Sequence, residues 1–300
     1  MPRLCYIEKN LRADSLTIIA QANEIVDEYA AQGFTLTLRQ LYYQFVARGL
    51  IANHDRSYKR IGKIISDGRV AGLIDWDAIE DRTRWLRKNP AWDSPEEIVS
   101  SCAAQFNFDM WENQTHRPEV WIEKDALIGA IEGVCSELEV PHFSCRGYAS
   151  QSELWRAGRR LRGWNRAGQQ PIIIHLGDHD PSGMDMTRDV LDRVSLFAET
   201  DVPVIRIALN MQQVEEFDPP ANPAKITDAR AAGYIEEFGD ESWELDALDP
   251  KTLSRLITTA VEKVRDDEAW EEMIEKRDDA RATLRAVSDK WAEVEEFVGE

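Results

Sequence analysis

Hydrophobic residues at three- and four-residue spacing dominate the first ninety residues and predict helices. The segment 15–33 has this spacing, and Gly33 predicts its end. In the segment 35–50, Thr37 predicts an N-cap. One apolar face of that second helix is formed by Leu38, Leu41, Tyr42 and Phe45. A third, basic helix is predicted over 57–73. Three short helices of which the last is basic are typical of a helix-turn-helix DNA-binding domain.

Strand and helix patterns alternate over 119–250. The predicted strands are EVWIEK, VPHFSCRG, PIIIHLGD and VPVIRIAL, with helical segments between them. This alternation predicts parallel pairing in an α/β sheet, whose ligands bind at the carboxyl ends of the strands. The predicted organisation is a helical domain over 1–90, a connector over 91–118, an α/β domain over 119–255 and acidic C-terminal helices over 256–300. In the last region Leu284, Val287, Trp291, Val294 and Val298 form a narrow apolar seam, which could pack on the body or on a second copy.

Composition adds limits on class and location. The chain has 300 residues, of which 43% are hydrophobic, enough for a substantial core. No apolar run is long enough to span a membrane, and the N-terminus lacks the apolar segment of a signal peptide. The four cysteines are scattered without a CxxC pair, which argues against a disulfide framework or a zinc site. We therefore expect a cytoplasmic protein, which in a prokaryotic cell would associate with the nucleoid.

The net charge of −19 argues against nucleic-acid binding until its distribution is considered. Residues 201–300 hold 12 Lys and Arg against 26 Asp and Glu, so most of the excess lies in the last third. Residues 35–70 hold seven basic residues against two acidic ones, and 146–166 hold six arginines against one glutamate. Local fields govern binding to a polyanion more than the total charge does. The alternative interpretation is that both segments are ordinary solvated helix faces.

Two aspartates directly follow the third predicted strand. In the stretch LGDHDPSGMDM, Asp178 and Asp180 lie one residue apart, at the point where an α/β sheet exposes functional loops. Residues i and i+2 of an extended segment point the same way, and two converging carboxylates favour a divalent cation such as Mg²⁺. Glu123 also lies where a strand meets a helix. The alternative is an acidic turn without a ligand. For His175 and His179, packing is favoured over a role as metal ligands.

These residues resemble a known family. A glutamate at the end of the first strand and a DxDxxG motif at the end of a later one are similar to the Toprim signature. The stretches LGDHDPSGMDM and WIEKDALIGAI most resemble the A-type subunit of topoisomerase VI and the meiotic double-strand-break transesterase. The resemblance covers about 35–255, and the length is closest to the compact "mini-A" relatives found on mobile elements. It implies a Rossmann-like Toprim domain preceded by a winged-helix domain.

The resemblance also implies a nucleophile in the N-terminal domain. The family carries a tyrosine in an Arg-x-x-Tyr-Tyr-like motif, and this chain has Arg39-Gln40-Leu41-Tyr42-Tyr43, which gives Tyr43 the nucleophile position. Arg39 and Tyr43 share a helix face, so the guanidinium can hold a phosphate beside the phenol. The alternative interpretation is core packing, which is favoured for Tyr42.

The implied activity is cleavage of double-stranded DNA through a 5′-phosphotyrosyl link to Tyr43. Glu123, Asp178 and Asp180 would hold Mg²⁺, and Glu123 could instead act as a general acid or base. Phosphates would be bound by Arg39, Lys59, Arg60, Lys63 and Arg146, the last of which stands in CRGYAS where the family has a lysine. In the family the tyrosine of one protomer meets the metal of the other, so a homodimer is implied. Glu244 and Asp246, in a segment similar to the end of these domains, are expected to be structural.

Two other classes of function remain open at this point. One is a Toprim nuclease or primase-like enzyme in which water or a nucleotide, not Tyr43, is the nucleophile. The other is a non-catalytic protein that binds DNA or serves in an assembly. The chain has no GxxxxGK[ST] motif, so strand passage would require a separate ATPase subunit.

Overall fold

The N-terminal helices pack into a core of their own. The computed structural model describes residues 3–79 and 89–299. Its first helices are α1 (Ala13–Ala30), α2 (Leu38–Ala47) and α3 (Asp55–Val70). Their shared core includes Ile25, Leu41, Phe45, Ile61 and Ile65. The predicted signals are confirmed, because Thr37 forms a capping box with Gln40 and Gly33 turns the chain after α1 at φ +83°.

Over residues 3–79, the structure shows the three predicted helices and no wing. In the described part of the region, strand pairing is limited to isolated bridges between Cys5 and Ala71 and between Leu36 and Ile79. Part of the predicted N-terminal domain, residues 80–88, lies outside the described residues.

The segment predicted as a connector contains regular structure. Helix α4 (Pro95–Gln105) lies within it, and strand β1 (His116–Ile122) begins before its predicted end. Ser94 caps α4 and Pro95 occupies its first turn. Only Ala103 of this helix is buried, which explains why no apolar period marked it in the sequence.

The sheet of the second region has four parallel strands. After β1 come α5 (Ile128–Glu137), β2 (His142–Ser144), α6 (Gln151–Arg166), β3 (Gln170–Leu176), α7 (Pro181–Ala198) and β4 (Val204–Ala208). The strand order is β2-β1-β3-β4, with β1 paired to β3 along its whole length. The predicted parallel α/β sheet is therefore confirmed.

Helices cover both faces of this sheet. Val120 and Ile122 of β1 pack in one core with α5 and with α10 (Pro250–Glu262), whereas Trp121 packs in another core with α6 and α7. The alternation follows from the two-residue period of a strand. The carboxyl ends of β1 and β3 consequently emerge side by side between the two helical layers.

Short elements connect the sheet to the C-terminal helices. They are α8 (Met211–Phe217), β5 (Asn222–Pro223), α9 (Ala231–Phe238) and β6 (Glu241–Ser242), and β5 pairs with β6 in antiparallel fashion. A 3₁₀ turn, Leu245–Ala247, precedes α10.

The C-terminal helices extend the α/β body. Helices α11 (Asp267–Asp289) and α12 (Trp291–Gly299) follow α10. Leu253, Ile257 and Val261 of α10 and Trp270 of α11 belong to the core on the α5 face of the sheet. The predicted boundary at residue 255 thus falls inside α10. The apolar seam predicted near the C-terminus is partly or fully exposed, and α12 has no buried residue. Within 3–79 and 89–299, we find no helix with the length and apolar character needed to cross a membrane.

Candidate active site

Glu123 and Asp178 meet at the carboxyl end of the sheet. Glu123 directly follows β1, and Asp178 lies two residues beyond β3. The backbone N–H of Asp178 donates to Glu123 Oε2 over 2.9 Å. Both side chains are buried, with 7% of Glu123 and 6% of Asp178 exposed. The parallel pairing of β1 with β3 is what brings these two residues together, although they lie 55 positions apart in the chain.

Burial perturbs both carboxyl groups. It raises the pKa of Glu123 to about 7, with a further contribution from the charge of Asp178 and a smaller one from Asp180. Burial also raises the pKa of Asp178, although Lys124 and the Leu245 N–H oppose this shift. Perturbed pKa values of this kind, caused by burial and by neighbouring like charges, are frequent at functional sites.

Asp180 has a different orientation from Asp178. It is the N-cap of α7, and its Oδ1 accepts hydrogen bonds from the Gly183 N–H at 2.6 Å and the Ser182 hydroxyl at 2.9 Å. Asp178 instead accepts at Oδ1 from the Leu245 N–H over 2.8 Å. The chain turns after β3, and the two carboxylates accept hydrogen bonds from different segments, although the charges of both raise the pKa of Glu123.

The glycine of the DxDxxG motif has a steric explanation. A Cβ on Gly183 would lie 2.3 Å from the Asp178 carbonyl oxygen and 3.1 Å from Glu123 Oε2. A Cβ on Gly177 would lie 3.0 Å from the same Glu123 oxygen. Both glycines therefore allow the loop to approach the Glu123 carboxylate closely, which no other residue type permits without displacement.

Arg206 supports the loop from β4. Its guanidinium donates to the carbonyl oxygens of Gly177 at 2.9 Å, Asp178 at 2.5 Å and Gly183 at 3.1 Å. It also donates to the Thr187 hydroxyl at 2.8 Å. Burial lowers the pKa of Arg206 to about 10, so the group stays charged at neutral pH. A single side chain thus fixes the backbone at both ends of the segment that carries Asp178 and Asp180.

Lys124 links Asp178 to a second acidic pair. Its Nζ lies 2.9 Å from Asp178 Oδ1, 3.0 Å from Glu244 Oε2 and 2.7 Å from Asp246 Oδ2. Arg39 of α2 pairs with the same Glu244 oxygen and lies 3.1 Å from the same Asp246 oxygen. Through these pairs Glu244 and Asp246 join the N-terminal helices to the α/β body. Burial would raise the pKa of Glu244, but Lys124 and Arg39 lower it to about 2.

The two adjacent tyrosines have different environments. The Tyr42 hydroxyl accepts from the His54 N–H at 2.9 Å and donates to Asn53 Oδ1 at 3.0 Å. These contacts agree with the packing role expected for Tyr42. Tyr43 is also buried, at 4% exposure, and the Arg39 guanidinium lies 5.7 Å from its ring centroid. Burial raises the pKa of Tyr43 above its ordinary value, and the charge of Glu244 adds to the effect. The phenol is therefore protonated and covered in this arrangement.

Comparison with known proteins yields no match among protein families, curated proteins or solved structures.

The predicted DNA-binding residues divide into paired and unpaired cations. Lys59, Arg60 and Lys63 lie on the exposed side of α3, and none forms an ion pair with another described residue. Arg39 is held by Glu244 and Asp246. Arg146, at φ +54°, is exposed and lies 3.1 Å from Asp125, beside a cavity of about 580 Å³ at the end of β2.

Three of the five arginines of α6 are paired with acidic residues. Arg160 donates to both oxygens of the buried Glu119, at 2.7 and 3.0 Å. Arg156 pairs with Glu153 and Arg162 pairs with Glu199. Arg159 and Arg166 of α6 form no ion pair with a described residue, so both basic segments identified in the sequence keep free cations within the described chain.

The donor chemistry around Glu123 fits Mg²⁺. Glu123, Asp178 and Asp180 offer carboxylate oxygens, which hard cations prefer, and the raised pKa values of Glu123 and Asp178 indicate that positive charge would be favoured beside them. In 3–79 and 89–299, however, no three His, Cys, Asp or Glu side chains have the spacing of a ready-made metal site. At Asp178 the Lys124 ammonium supplies the positive charge.

The neighbouring histidines pack as expected. His175 contacts the Thr187 hydroxyl at 3.0 Å, and His179 contacts the Tyr234 hydroxyl at 2.7 Å. Burial lowers the pKa of His175 to about 3 and that of His179 to about 4, so both are neutral.

The sequence did not indicate the roles of Lys124 and Arg206. Arg206 was visible as the one charged residue in VPVIRIAL, and a charge inside a predicted strand of a covered sheet requires a partner. Lys124 was part of the motif that carried the resemblance, but its three partners come from 178, 244 and 246 and could not be deduced from spacing.

Replacement of Glu123 by glutamine is expected to stabilise the protein in EDTA at pH 8, by about 2 kcal/mol. The folded pKa of Glu123 lies above the unfolded one, so the ionised group destabilises the fold. The destabilisation by ionised Glu123 is complete above about pH 7 and disappears below the pKa of Glu123 in the unfolded chain. Glutamine keeps an oxygen that can accept the Asp178 N–H. Urea unfolding at pH 8 and pH 4.5 measures the gain, which should be present only at pH 8.

Glu236→Gln is the matched control, because Glu236 is exposed on α9. It should unfold at the wild-type urea concentration at both pH values. An equal effect of the two substitutions would show that Glu123 is not under electrostatic strain.

Proposed function

We propose that this chain is a Mg²⁺-dependent enzyme that cleaves the DNA backbone, similar in kind to the A-type subunit of topoisomerase VI. The observation that carries the proposal is the buried pair Glu123 and Asp178 at the ends of adjacent parallel strands, one hydrogen bond apart. On this proposal the α/β region is a Toprim domain and the helices before it form a winged-helix domain. The order Glu123, then Asp178 and Asp180, on β1 and β3 supports the assignment.

Glu123, Asp178 and Asp180 would hold the cation. Bound there, Mg²⁺ would neutralise charge on the non-bridging phosphate oxygens and raise the electrophilicity of phosphorus. Arg206 would keep the three carboxylates close together, because it fixes the loop backbone. Gly177 and Gly183 allow that backbone to approach Glu123.

The nucleophile of the proposed reaction is the phenolate oxygen of Tyr43. It attacks a backbone phosphorus, the bond from phosphorus to O3′ breaks, and a 5′-phosphotyrosyl link and a free 3′-hydroxyl result. The phenol proton leaves to a base, and O3′ gains a proton from an acid, for which Glu123 is our candidate. Because Tyr43 is covered and Arg39 is paired in the arrangement described, α2 must leave Glu244 before both can engage a phosphate.

DNA would bind along α3 and reach the carboxylates past Arg146. The unpaired cations Lys59, Arg60 and Lys63 support the first contact, which sets affinity rather than sequence choice. Cleavage of both strands requires two tyrosines, so the proposal includes a homodimer. Strand passage would need a separate ATPase subunit, since the sequence carries no GxxxxGK[ST] motif.

A second candidate is hydrolysis at the same carboxylates with water as nucleophile. The burial of Tyr43 favours it, because the phenol is absent from the surface while Glu123 and Asp178 need no rearrangement to meet. The two candidates differ in one product only, the covalent link between protein and DNA.

Replacement of Tyr43 by phenylalanine is expected to abolish protein-linked DNA ends, lowering their yield by roughly 10³-fold or more, because the ring then has no nucleophilic oxygen. The assay is incubation of supercoiled plasmid with the protein and Mg²⁺, with and without protease treatment before electrophoresis. Tyr42→Phe, the neighbouring substitution, is expected to keep the linked ends.

Cleavage that survives Tyr43→Phe without linked ends would select hydrolysis. A wild-type protein that cuts no DNA with any divalent cation, while still binding it, would reject both enzymatic candidates.

A further inference from the structure

Lys124 and Arg39 share the same two carboxylate oxygens. Glu244 Oε2 receives both Lys124 Nζ and Arg39, and Asp246 Oδ2 receives Lys124 Nζ at 2.7 Å and Arg39 Nε at 3.1 Å. Two cations on one oxygen repel each other. The strength of the Arg39 ion pair with Glu244 and Asp246 therefore depends on how strongly Lys124 is attracted to another group. That other group is Asp178, whose Oδ1 lies 2.9 Å from Lys124 Nζ.

Arg39 is a main connection between α2 and the α/β body. Tyr43 lies one helical turn further along the same face. A second connection is Asn53, whose side-chain N–H₂ donates to Asn222 Oδ1 at 2.8 Å and to the Ala221 carbonyl at 3.2 Å. Asn222 is also close enough to Tyr43 to lower the pKa of its phenol, so the covering of Tyr43 depends on the docking of α2.

Asp246 has spare capacity for a displaced ammonium. The residue is 2% exposed, and its Oδ1 has no hydrogen-bond partner among the described residues. A buried carboxylate oxygen without a hydrogen-bond partner costs free energy. The Lys124 ammonium could bond this oxygen but contacts Asp178 in the described arrangement. If Lys124 leaves Asp178, Asp246 Oδ1 is available to replace the lost partner.

We infer that Lys124 is a positioning residue that couples cation binding at Glu123 and Asp178 to the release of the helix that carries Tyr43. A divalent cation at Asp178 displaces Lys124 toward Glu244 and Asp246. There the ammonium competes with Arg39, and α2 is held less firmly. This inference rests on the proposed function, because it gives the cation site a second role in uncovering the nucleophile.

The coupling must be reciprocal. If the cation weakens the docking of α2, then loss of that docking strengthens cation binding by the same factor. Substitutions at either end of the network should therefore change both the cation affinity and the docking of α2. This holds for Arg39 although its described ion pairs are with Glu244 and Asp246, not with Asp178.

The test is a pair of measurements on the full chain. Calorimetric titration with Mg²⁺ alone measures affinity, and hydrogen exchange of residues 38–47 measures the docking of α2. In the wild type, saturating Mg²⁺ is expected to accelerate exchange in this helix. Lys124→Gln is expected to bind Mg²⁺ about tenfold more tightly, because a competing charge is removed. Arg39→Gln is expected to bind Mg²⁺ about threefold more tightly and to exchange fast in 38–47 without Mg²⁺.

Lys263→Gln is the control, since it removes the same charge from an exposed position at the end of α10. It should leave both measurements unchanged. Because Arg39 is more exposed than Lys124, Arg39→Gln keeps the test decisive if Lys124→Gln fails to fold.

Three outcomes overturn the inference. Exchange of 38–47 that is indifferent to bound Mg²⁺ overturns it while leaving the proposed cation site intact. Mg²⁺ affinities of Lys124→Gln and Arg39→Gln equal to wild type overturn it in the same way. Absence of Mg²⁺ binding to the wild type removes the cation site itself, and this result identifies the proposed function, not the coupling, as the failure.

Discussion

Replacement of Gly183 by alanine is expected to lower the free energy of unfolding by about 3 kcal/mol or more, and to abolish any activity of the carboxylate pair. The new Cβ would stand 2.3 Å from the Asp178 carbonyl oxygen, which is backbone and cannot rotate away. To relieve the contact, either α7 or the loop after β3 must move. Both movements disturb the hydrogen bond between the Asp178 N–H and Glu123. Urea unfolding followed by circular dichroism measures the loss of stability.

Gly163→Ala provides the comparison. Gly163 lies exposed in α6 with no atom within 4 Å of an added Cβ. Alanine there is expected to raise stability by about 0.5–1 kcal/mol through helix propensity. If Gly183→Ala unfolds at the wild-type urea concentration, the loop after β3 is less constrained than its geometry indicates.

Replacement of Arg206 by methionine is expected to cost about 3 kcal/mol. Methionine fills a similar volume but donates no hydrogen bond, so the carbonyl oxygens of Gly177, Asp178 and Gly183 lose a charged donor together. The loop that carries Asp178 should then exchange its amide hydrogens faster. Chemical denaturation and hydrogen exchange over 177–183 measure the two effects.

Arg188→Met is the matched control on the exposed side of α7. Arg188 pairs with Asp185 and Asp192 in water, and such pairs contribute little. The substitution should leave the unfolding midpoint unchanged. Equal costs at 188 and 206 would mean that Arg206 acts as an ordinary surface cation.

Local sequence signals predicted much of the fold because they depend on neighbouring residues. The capping box at Thr37 and Gln40 and the turn at Gly33 are determined within a few positions. The strands were visible because buried parallel strands are continuously apolar, and β3 contains Ile172, Ile173 and Ile174. Helix α4 was missed because it buries little, so no apolar stripe marks it.

The site was predictable only in its carboxylates. Strand ends indicate where side chains emerge, which was enough to place Glu123 beside Asp178. The covering of Tyr43 was not predictable, because the two neighbours that affect its phenol, Asn222 and Glu244, come from far along the chain. The pairing of the α6 arginines was equally hidden, since Glu119 and Glu199 lie outside that helix.

The long separation of Arg39 from its partners has a consequence for synthesis. Arg39 bonds Glu244 and Asp246, which lie 205 and 207 positions further along the chain. The buried residues of the core of α1, α2 and α3 instead all lie between Ile18 and Ile79. On the ribosome these helices can close their core long before residue 246 emerges. Throughout that interval Tyr43 packs in the core of these helices but lacks its neighbours Glu244 and Asn222. The nascent chain would therefore pass through a stage in which the covering of the candidate nucleophile and the carboxylate pair are both incomplete.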